Sequence, residues 1–280
     1  MRTWLITGAS RGFGALIAQR VLDAGDAVVA TSRKASDISL TTADPSRLLV
    51  LSLDVTNEAQ ARDTATAALA RYGHIDVLVN NAGYGLLGGV EEASADEVQA
   101  VFATNVFGLL NVTRAVLPSM RARRAGHIVN FSSVGGYQAY PGWGVYGATK
   151  FAVEGLSEAL AAELRSLGVK VTVVEPGFFR TDFLSPQSLS STRVQIEDYA
   201  DTVGAMRTFA AGADHQQPGN PAKLADAMLA IVQASEPPLR LPLGTDTVAR
   251  IEAKHRFVEQ ELATWRELAV STDFSPSAPA

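Results

Sequence analysis

Short apolar runs recur along the first two-thirds of the chain at Trp4–Thr7, Ala27–Thr31, Leu48–Leu53, Ile75–Val79, His127–Phe131 and Val169–Val174. The residues between them repeat apolar positions at helical intervals. A continuous apolar run of this length suits a strand buried on both faces, and an amphipathic stretch suits a helix that covers it. Their alternation predicts an α/β doubly wound parallel sheet with helices on both faces. A seventh strand is expected at Leu239–Leu241, between a helix at Lys223–Ala234 and another from Thr245 to Leu268. After Pro176-Gly177 the chain is first apolar, then polar, and then Val194, Ile196, Tyr199, Val203, Met206 and Phe209 return at near-helical spacing, the pattern of a lid. No low-complexity break divides the strand–helix series, so residues 1–270 are expected to form one domain. Within it the lid spans about 178–220 and a C-terminal extension about 221–270. Residues 271–280, which lack apolar anchors, are expected to be a disordered tail.

The first strand leads straight into T-G-A-S-R-G-F-G, with Gly8, Gly12 and Gly14 followed at once by an amphipathic helix. Glycines permit a tight turn and a close backbone approach to a pyrophosphate, and the helix start favours its negative charge. The spacing is G-x-x-x-G-x-G rather than G-x-G-x-x-G, but the strand–turn–helix setting of a Rossmann-like dinucleotide site is present.

Further along, Tyr146 and Lys150 stand four apart in the helical run V-Y-G-A-T-K-F-A-V-E-G-L, which puts both side chains on one face. A free tyrosine titrates near ~10 and a lysine near ~10.4, so a neighbouring ammonium is expected to draw the phenol towards working pH, where it can exchange protons with a hydroxyl or carbonyl. Ser133 ends the strand-like run H-I-V-N-F-S-S, where its hydroxyl can donate to the same oxygen.

Together, T-G-A-S-R-G-F-G, N-N-A-G at Asn80 to Gly83, Ser133, Tyr146 and Lys150 resemble the short-chain dehydrogenase/reductase family, of the shorter, single-domain type. The resemblance continues through Asp54-Val55, Asn105 in the helix beginning T-N-V-F-G-L-L, and P-G-F-F-R-T at Pro176 to Thr181. It implies reversible hydride transfer between a nicotinamide dinucleotide and an alcohol/carbonyl pair. Tyr146 would be the acid/base; Lys150 would lower its pKa and hold the nicotinamide ribose. Ser133 would hold the substrate oxygen, and Asn105 would organise a water-linked proton path through Lys150. The dinucleotide would lie along Gly8, Ser10, Arg11, Gly12, Phe13 and Gly14, along Asp54 and Val55, along Asn81, Ala82 and Gly83, and along Pro176, Gly177, Phe179 and Thr181. Family members commonly associate through the helices that carry Asn105 and Tyr146, so a homodimer or homotetramer is also implied.

The second strand ends in S-R-K, with Arg33 and Lys34 where an NAD-specific site places an acid for the ribose 2′-OH. Cations there suit a 2′-phosphate, and Arg11 in the glycine turn adds a second guanidinium for it, so NADP(H) is expected over NAD(H). Leu86, Tyr140, Trp143, Phe178 and Phe183 are candidates to line an apolar substrate pocket, which would favour lipophilic or aryl carbonyl compounds.

Composition narrows the partners. A net charge of −5 gives no electrostatic case for nucleic acid or an anionic membrane. The chain has no cysteine, its four histidines share no ligand-like spacing, and a metal is not expected. No signal peptide and no membrane span are read from the sequence, so the expected location is cytoplasmic. Two other readings use the same fold. One is an NADP(H)-binding regulatory sensor without turnover, which gives no physical reason for Ser133 and Tyr146 to surround a substrate position. The other is a nucleotide-sugar epimerase or dehydratase, whose longer substrate domain has little room in 280 residues.

Overall fold

In the computed structural model, which describes residues 1–274, the seven predicted strands pair as expected. In chain order the elements begin with β1 (Thr3–Thr7), α1 (Gly12–Asp23), β2 (Ala27–Ser32), β3 (Leu48–Ser52), α2 (Glu58–Tyr72), β4 (Val77–Asn80) and β5 (Gly85–Leu87). There follow α3 (Ala95–Phe102), α4 (Leu109–Arg123), β6 (Gly126–Phe131), α5 (Gly144–Leu164), β7 (Val169–Pro176) and β8 (Leu189–Ser191). The chain closes with α6 (Ala205–Ala213), α7 (Pro221–Gln233), β9 (Arg240–Leu243) and α8 (Thr245–Val270). The main sheet runs β3-β2-β1-β4-β6-β7-β9 with every pairing parallel. This is the doubly wound, Rossmann-like α/β fold.

Two apolar layers hold the sheet. On one face α1 and α7 pack Ile17, Val21, Leu224 and Met228 onto Trp4, Ile6 and Val28. On the other, α2 and α4 pack Ala65, Ala68, Val112 and Val116 onto Leu5, Val29, Leu78 and Ile128. The strand order reverses direction between β1 and β4, and open sheets of this kind take ligands beyond the strand C-termini at that point.

Three departures from the sequence pattern bear on the site. First, Asn105 does not open a helix. The helix starts at Ala95 behind the Ser94/Glu97 capping box and runs through a π-helical turn, Ala103–Gly108, into α4. By length and composition the combined span Ala95–Arg123 could cross a membrane, contrary to the expectation of no such span; half of its apolar window is buried here, with Val101, Val112 and Val116 in the core. Second, β5 and β8 form a small parallel pair that pattern reading missed, because three residues are too few for a periodicity. The pair ties the lid to the loop after β4. Third, the lid helix begins only at Ala205, after a 3-10 turn and a π turn, and Val194 lies exposed ahead of it. Of the expected C-terminal tail, Ser271–Phe274 carry no helix and residues 275–280 lie outside the described residues.

Candidate active site

The glycine turn at the C-terminal end of β1 is shaped by contacts that only glycine allows. Gly8 and Gly12 have φ of 69° and 55°, the left-handed region that L side chains rarely adopt. A Cβ on Gly14 would lie 2.2 Å from the Gly8 carbonyl oxygen, so this position fixes the closeness of turn and helix. Asn81 pins the turn from β4: its Nδ2 donates to the Thr7 and Gly8 carbonyls at 2.9 and 3.1 Å. The backbone N–H groups of Asn81 and Ala82 both donate to the Thr7 hydroxyl at 3.0 Å. The N-N-A-G segment therefore acts first as a buttress of the turn. Its other asparagine, Asn80, extends a buried chain of amides, donating to Asn130, whose own amide donates to Ser157 on α5.

From this turn one cavity of about 900 Å³ runs past the ends of β4, β6 and β7 to the lid. Its wall contains Ser10, Arg11, Gly12, Phe13, Arg33, Asp54, Val55, Asn81, Ala82 and Gly83 at one end, and Ser133, Tyr146, Lys150, Pro176, Gly177, Phe179 and Thr181 further in. This is the shape a dinucleotide and a substrate need: a backbone cradle at a helix start, opening into a mostly apolar chamber with a few polar groups. Gly14 supports the cradle from behind without facing the cavity.

Tyr146 and Lys150 come together as a shared helix face requires. The ammonium lies 5.6 Å from the Tyr146 ring centroid and donates to the Phe131 carbonyl at 2.9 Å. Both side chains are buried, and burial governs their titration. The Tyr146 phenol is pushed up from its ordinary value, with the Ser133 hydroxyl opposing the rise. Burial holds Lys150 down to about 8, offset in part by the Glu154 carboxylate one turn along. Burial thus outweighs the effect that the spacing alone suggested: the lysine's ammonium is turned to a carbonyl, and the rings of Trp143 and Phe183 pack against the phenol ring. Ser133 caps the short 3-10 turn Val134–Gly136, accepting from the Gly135 N–H at 3.1 Å, which fixes its side chain toward the helix that carries Tyr146.

Asn105 lies in the wall behind this group rather than in the cavity. Its side chain bridges Tyr84 and α5, accepting from the Tyr84 N–H at 3.1 Å and donating to the Tyr84 carbonyl and the Thr149 hydroxyl. A Cβ added at Gly83 would stand 3.0 Å from Asn105 Oδ1 and 3.8 Å from Lys150 Nζ, so glycine there leaves the space between them open.

Among the substrate candidates, Tyr140, Trp143, Phe178 and Phe183 line the cavity and Leu86 does not. Leu86 is in β5, where the pleat turns it toward Val101 and Val145 in a separate apolar cluster. Arg11 faces the cavity and ties part of its guanidinium to the lid, Nε donating to the Ser188 hydroxyl (3.1 Å) and Nη2 to the Gln187 carbonyl (2.6 Å). Among the lining residues that sequence reasoning missed are Tyr84, Asp182, Met206, Phe209 and Arg250. The three-residue spacing of Met206 and Phe209 marks one helix face, but nothing in the sequence says what that face covers.

A glycine cradle at the switch point of a doubly wound sheet, continuous with a buried Ser–Tyr–Lys group, defines a dinucleotide-dependent oxidoreductase. The short chain dehydrogenase family matches residues 2–191, and the chain belongs to that family. It is 36% identical over 275 residues to the oxidoreductase BOA17 of Botryotinia fuckeliana, covering 97% of this chain and 99% of that one. It is 42% identical over 241 residues to the 3-ketodihydrosphingosine reductase of Bacteroides thetaiotaomicron, covering 86% and 87%. A short-chain dehydrogenase from Streptomyces avermitilis has the same fold, with a TM-score of 0.90 and 41% identity across 98% of this chain and all of that one. Two further structures carry cofactor: a serine dehydrogenase complexed with NADP+ (TM-score 0.72, 30% identity, 86% and 94% covered) and a Burkholderia phymatum family member with NAD (TM-score 0.79, 25%, 100% and 97%).

Proposed function

We propose that this oxidoreductase interconverts a ketone or aldehyde and the corresponding alcohol with NADP(H), using Tyr146 as acid/base. The observation that carries the reading is the single cavity joining the glycine cradle to Ser133, Tyr146 and Lys150. The residues present suit a nicotinamide dinucleotide: Gly12 offers open space at a left-handed turn, and Gly14 lets the helix start close on it. When bound, that cofactor supplies or takes up the hydride. The protein's residues handle the proton and the charge. A phenol raised by burial is protonated at working pH, the form that can donate to a carbonyl oxygen as it becomes an alkoxide. The Ser133 hydroxyl is the second donor to that oxygen. On this reading Lys150 holds the ribose and, with Asn105, organises the water-linked path that returns a proton to Tyr146.

Preference for NADP(H) rests on Arg33, which faces the cavity at the end of β2 and has no ion pair among the described residues. Arg11 supports it through the N–H donors that its bonds to the lid leave over. The apolar wall of Trp143, Phe178, Phe183, Met206 and Phe209 favours a lipophilic or aromatic carbonyl compound, and the Bacteroides relative is named for a keto substrate. Assembly into a homodimer or homotetramer belongs to the same reading, supported by Phe107 and Phe151, which stand exposed beside Asn105 and Tyr146.

The test is oxidation of NADPH and NADH, in parallel, against ketones graded from small aliphatic to bulky aryl. Turnover that prefers NADPH and rises with apolar bulk is expected. Tight nucleotide binding with no turnover on any ketone would replace the reading by that of a sensor.

A further inference from the structure

The cavity beyond Tyr146 has a mostly apolar wall that carries one cation, Arg250; Asp182, the acid in the same lining, lies 3.5 Å from His215. Arg250, on α8, faces the chamber with its guanidinium carbon 4.8 Å from the Tyr140 ring centroid. It lies outside the stretch that matches the family, which ends at residue 191, so the family's own motifs say nothing of it. Its position is well defined. One turn earlier on α8, Asp246 accepts from the Phe178 N–H at 2.9 Å and so fastens the start of the helix to the cavity wall. Tyr140 in turn accepts a backbone hydrogen bond from Trp143 at 3.1 Å, and the Trp143 ring lies 5.6 Å from that of Tyr146. The guanidinium thus sits on the wall that carries the phenol, two aromatic residues away.

The charge is half-buried and uncompensated. No carboxylate among the described residues forms an ion pair with Arg250, and no carbonyl takes a hydrogen bond from it. Asp246, the nearest acid along α8, has an oxygen committed to the Phe178 amide. The other cations on the cavity wall belong elsewhere: Arg33 and Arg11 at the dinucleotide end, and Lys150 on the Phe131 carbonyl. Tyr140 engages the guanidinium in part, through its ring face and through its buried hydroxyl, which has no other partner among the described residues; the N–H donors that remain match a carboxylate. A neutral ketone with a wholly apolar body would offer these donors no partner, whereas a carboxylate would pair with them.

We infer that Arg250 is a specificity residue that binds a carboxylate on the substrate, at the end remote from the reacting carbonyl. The preferred substrate is then an oxo acid, or the matching hydroxy acid, in which an apolar spacer separates the carbonyl at Tyr146 from the carboxylate at Arg250. The inference rests on the oxidoreductase reading given under Proposed function, and its test separates the two.

Reduction of 6-oxoheptanoate and of 4-acetylbenzoate is compared with that of their methyl esters, in wild type, Arg250→Gln and Arg250→Lys. The quantity read is the acid-to-ester ratio of kcat/KM within each protein. A charge-assisted pair is expected to make that ratio fall about tenfold or more in Arg250→Gln, mainly through KM, with partial recovery in Arg250→Lys. The same ratio in all three proteins would overturn the inference, whatever the absolute rates. Calorimetric binding of acid and ester to the nucleotide-loaded wild type and Arg250→Lys proteins reads the preference without turnover and covers a Gln variant that fails to fold. Equal binding of acid and ester overturns the role of Arg250; absence of turnover beside a clear preference for acid counts only against the oxidoreductase reading.

Discussion

At the scale of single residues, burial decides the chemistry of this site. Tyr146 and Lys150 owe their shifts to the walls around them more than to each other. Tyr146→Phe removes one proton and no contact surface, so turnover should drop by about 100- to 10,000-fold while NADPH affinity, read by fluorescence titration, stays within a few-fold of wild type. Equal loss of both would remove the acid/base role. Behind the site, two buried carboxylates meet Arg240: its Nε is 3.2 Å from Glu154 and 3.8 Å from Glu175. Burial raises the nearer acid, Glu154, above its ordinary value, and Arg240 opposes the rise. Glu175 is raised from 4.5 to about 7 by burial and by the neighbouring Glu154 carboxyl, with Arg240 opposing. A carboxyl whose folded pKa lies above its unfolded value adds stability fully below the unfolded pKa, and that contribution is lost as pH rises through the folded one. The protein should therefore lose stability between about pH 4.5 and 7 on account of this group. Glu175→Gln should flatten that part of the curve in urea titrations at stepped pH, and an unchanged slope would assign the loss to other groups.

Single elements are tuned by close approach. The cradle works because α1 starts against the carbonyl that ends the Gly8 turn, with Asn81 locking both. Gly14→Ala places a methyl where backbone already stands, so turn and helix must part. Such overpacking typically costs about 1–3 kcal/mol, and NADPH affinity should fall with it, since the same backbone forms the cradle. Gly12→Ala meets open space but must adopt a left-handed conformation, so it should lose stability through strain alone. Comparing the denaturation midpoints and nucleotide titrations of the two variants separates crowding from strain. The π turn at Ala103–Gly108 has a similar local purpose: it sets Asn105 in mid-helix where both ends of its amide are used.

Across the whole molecule, β1, β4, β6 and β7 each deliver one part of the site to the same edge of the sheet, while the lid and α8 close it from outside. Ligand that binds only the folded state stabilises it by mass action, about 2.7 kcal/mol at a hundred times Kd. For a domain of this size that is a rise in Tm of about 5–10 °C. NADPH should give the larger rise at equal concentration, and Arg33→Asp should hand that advantage to NADH. An unchanged order in the variant would leave Arg33 as a surface charge. Seven strands, the glycine turn and the Ser–Tyr–Lys group were legible in the sequence because each depends on local information: the period of apolar residues, a backbone freedom only glycine has, or two side chains one helical turn apart. The β5–β8 pair, the π turn that holds Asn105, the turning of Leu86 away from the cavity, the diversion of Arg11 to the lid and the arrival of Arg250 beside Tyr140 were not. Each of these depends on residues distant in the chain meeting at a particular angle, and on the burial that results. The sequence by itself determined the fold, the family and the residues that can do chemistry. Only the tertiary structure decided which of them face the cavity, and how burial sets the proton on Tyr146, because desolvation is a property of surroundings and not of spacing.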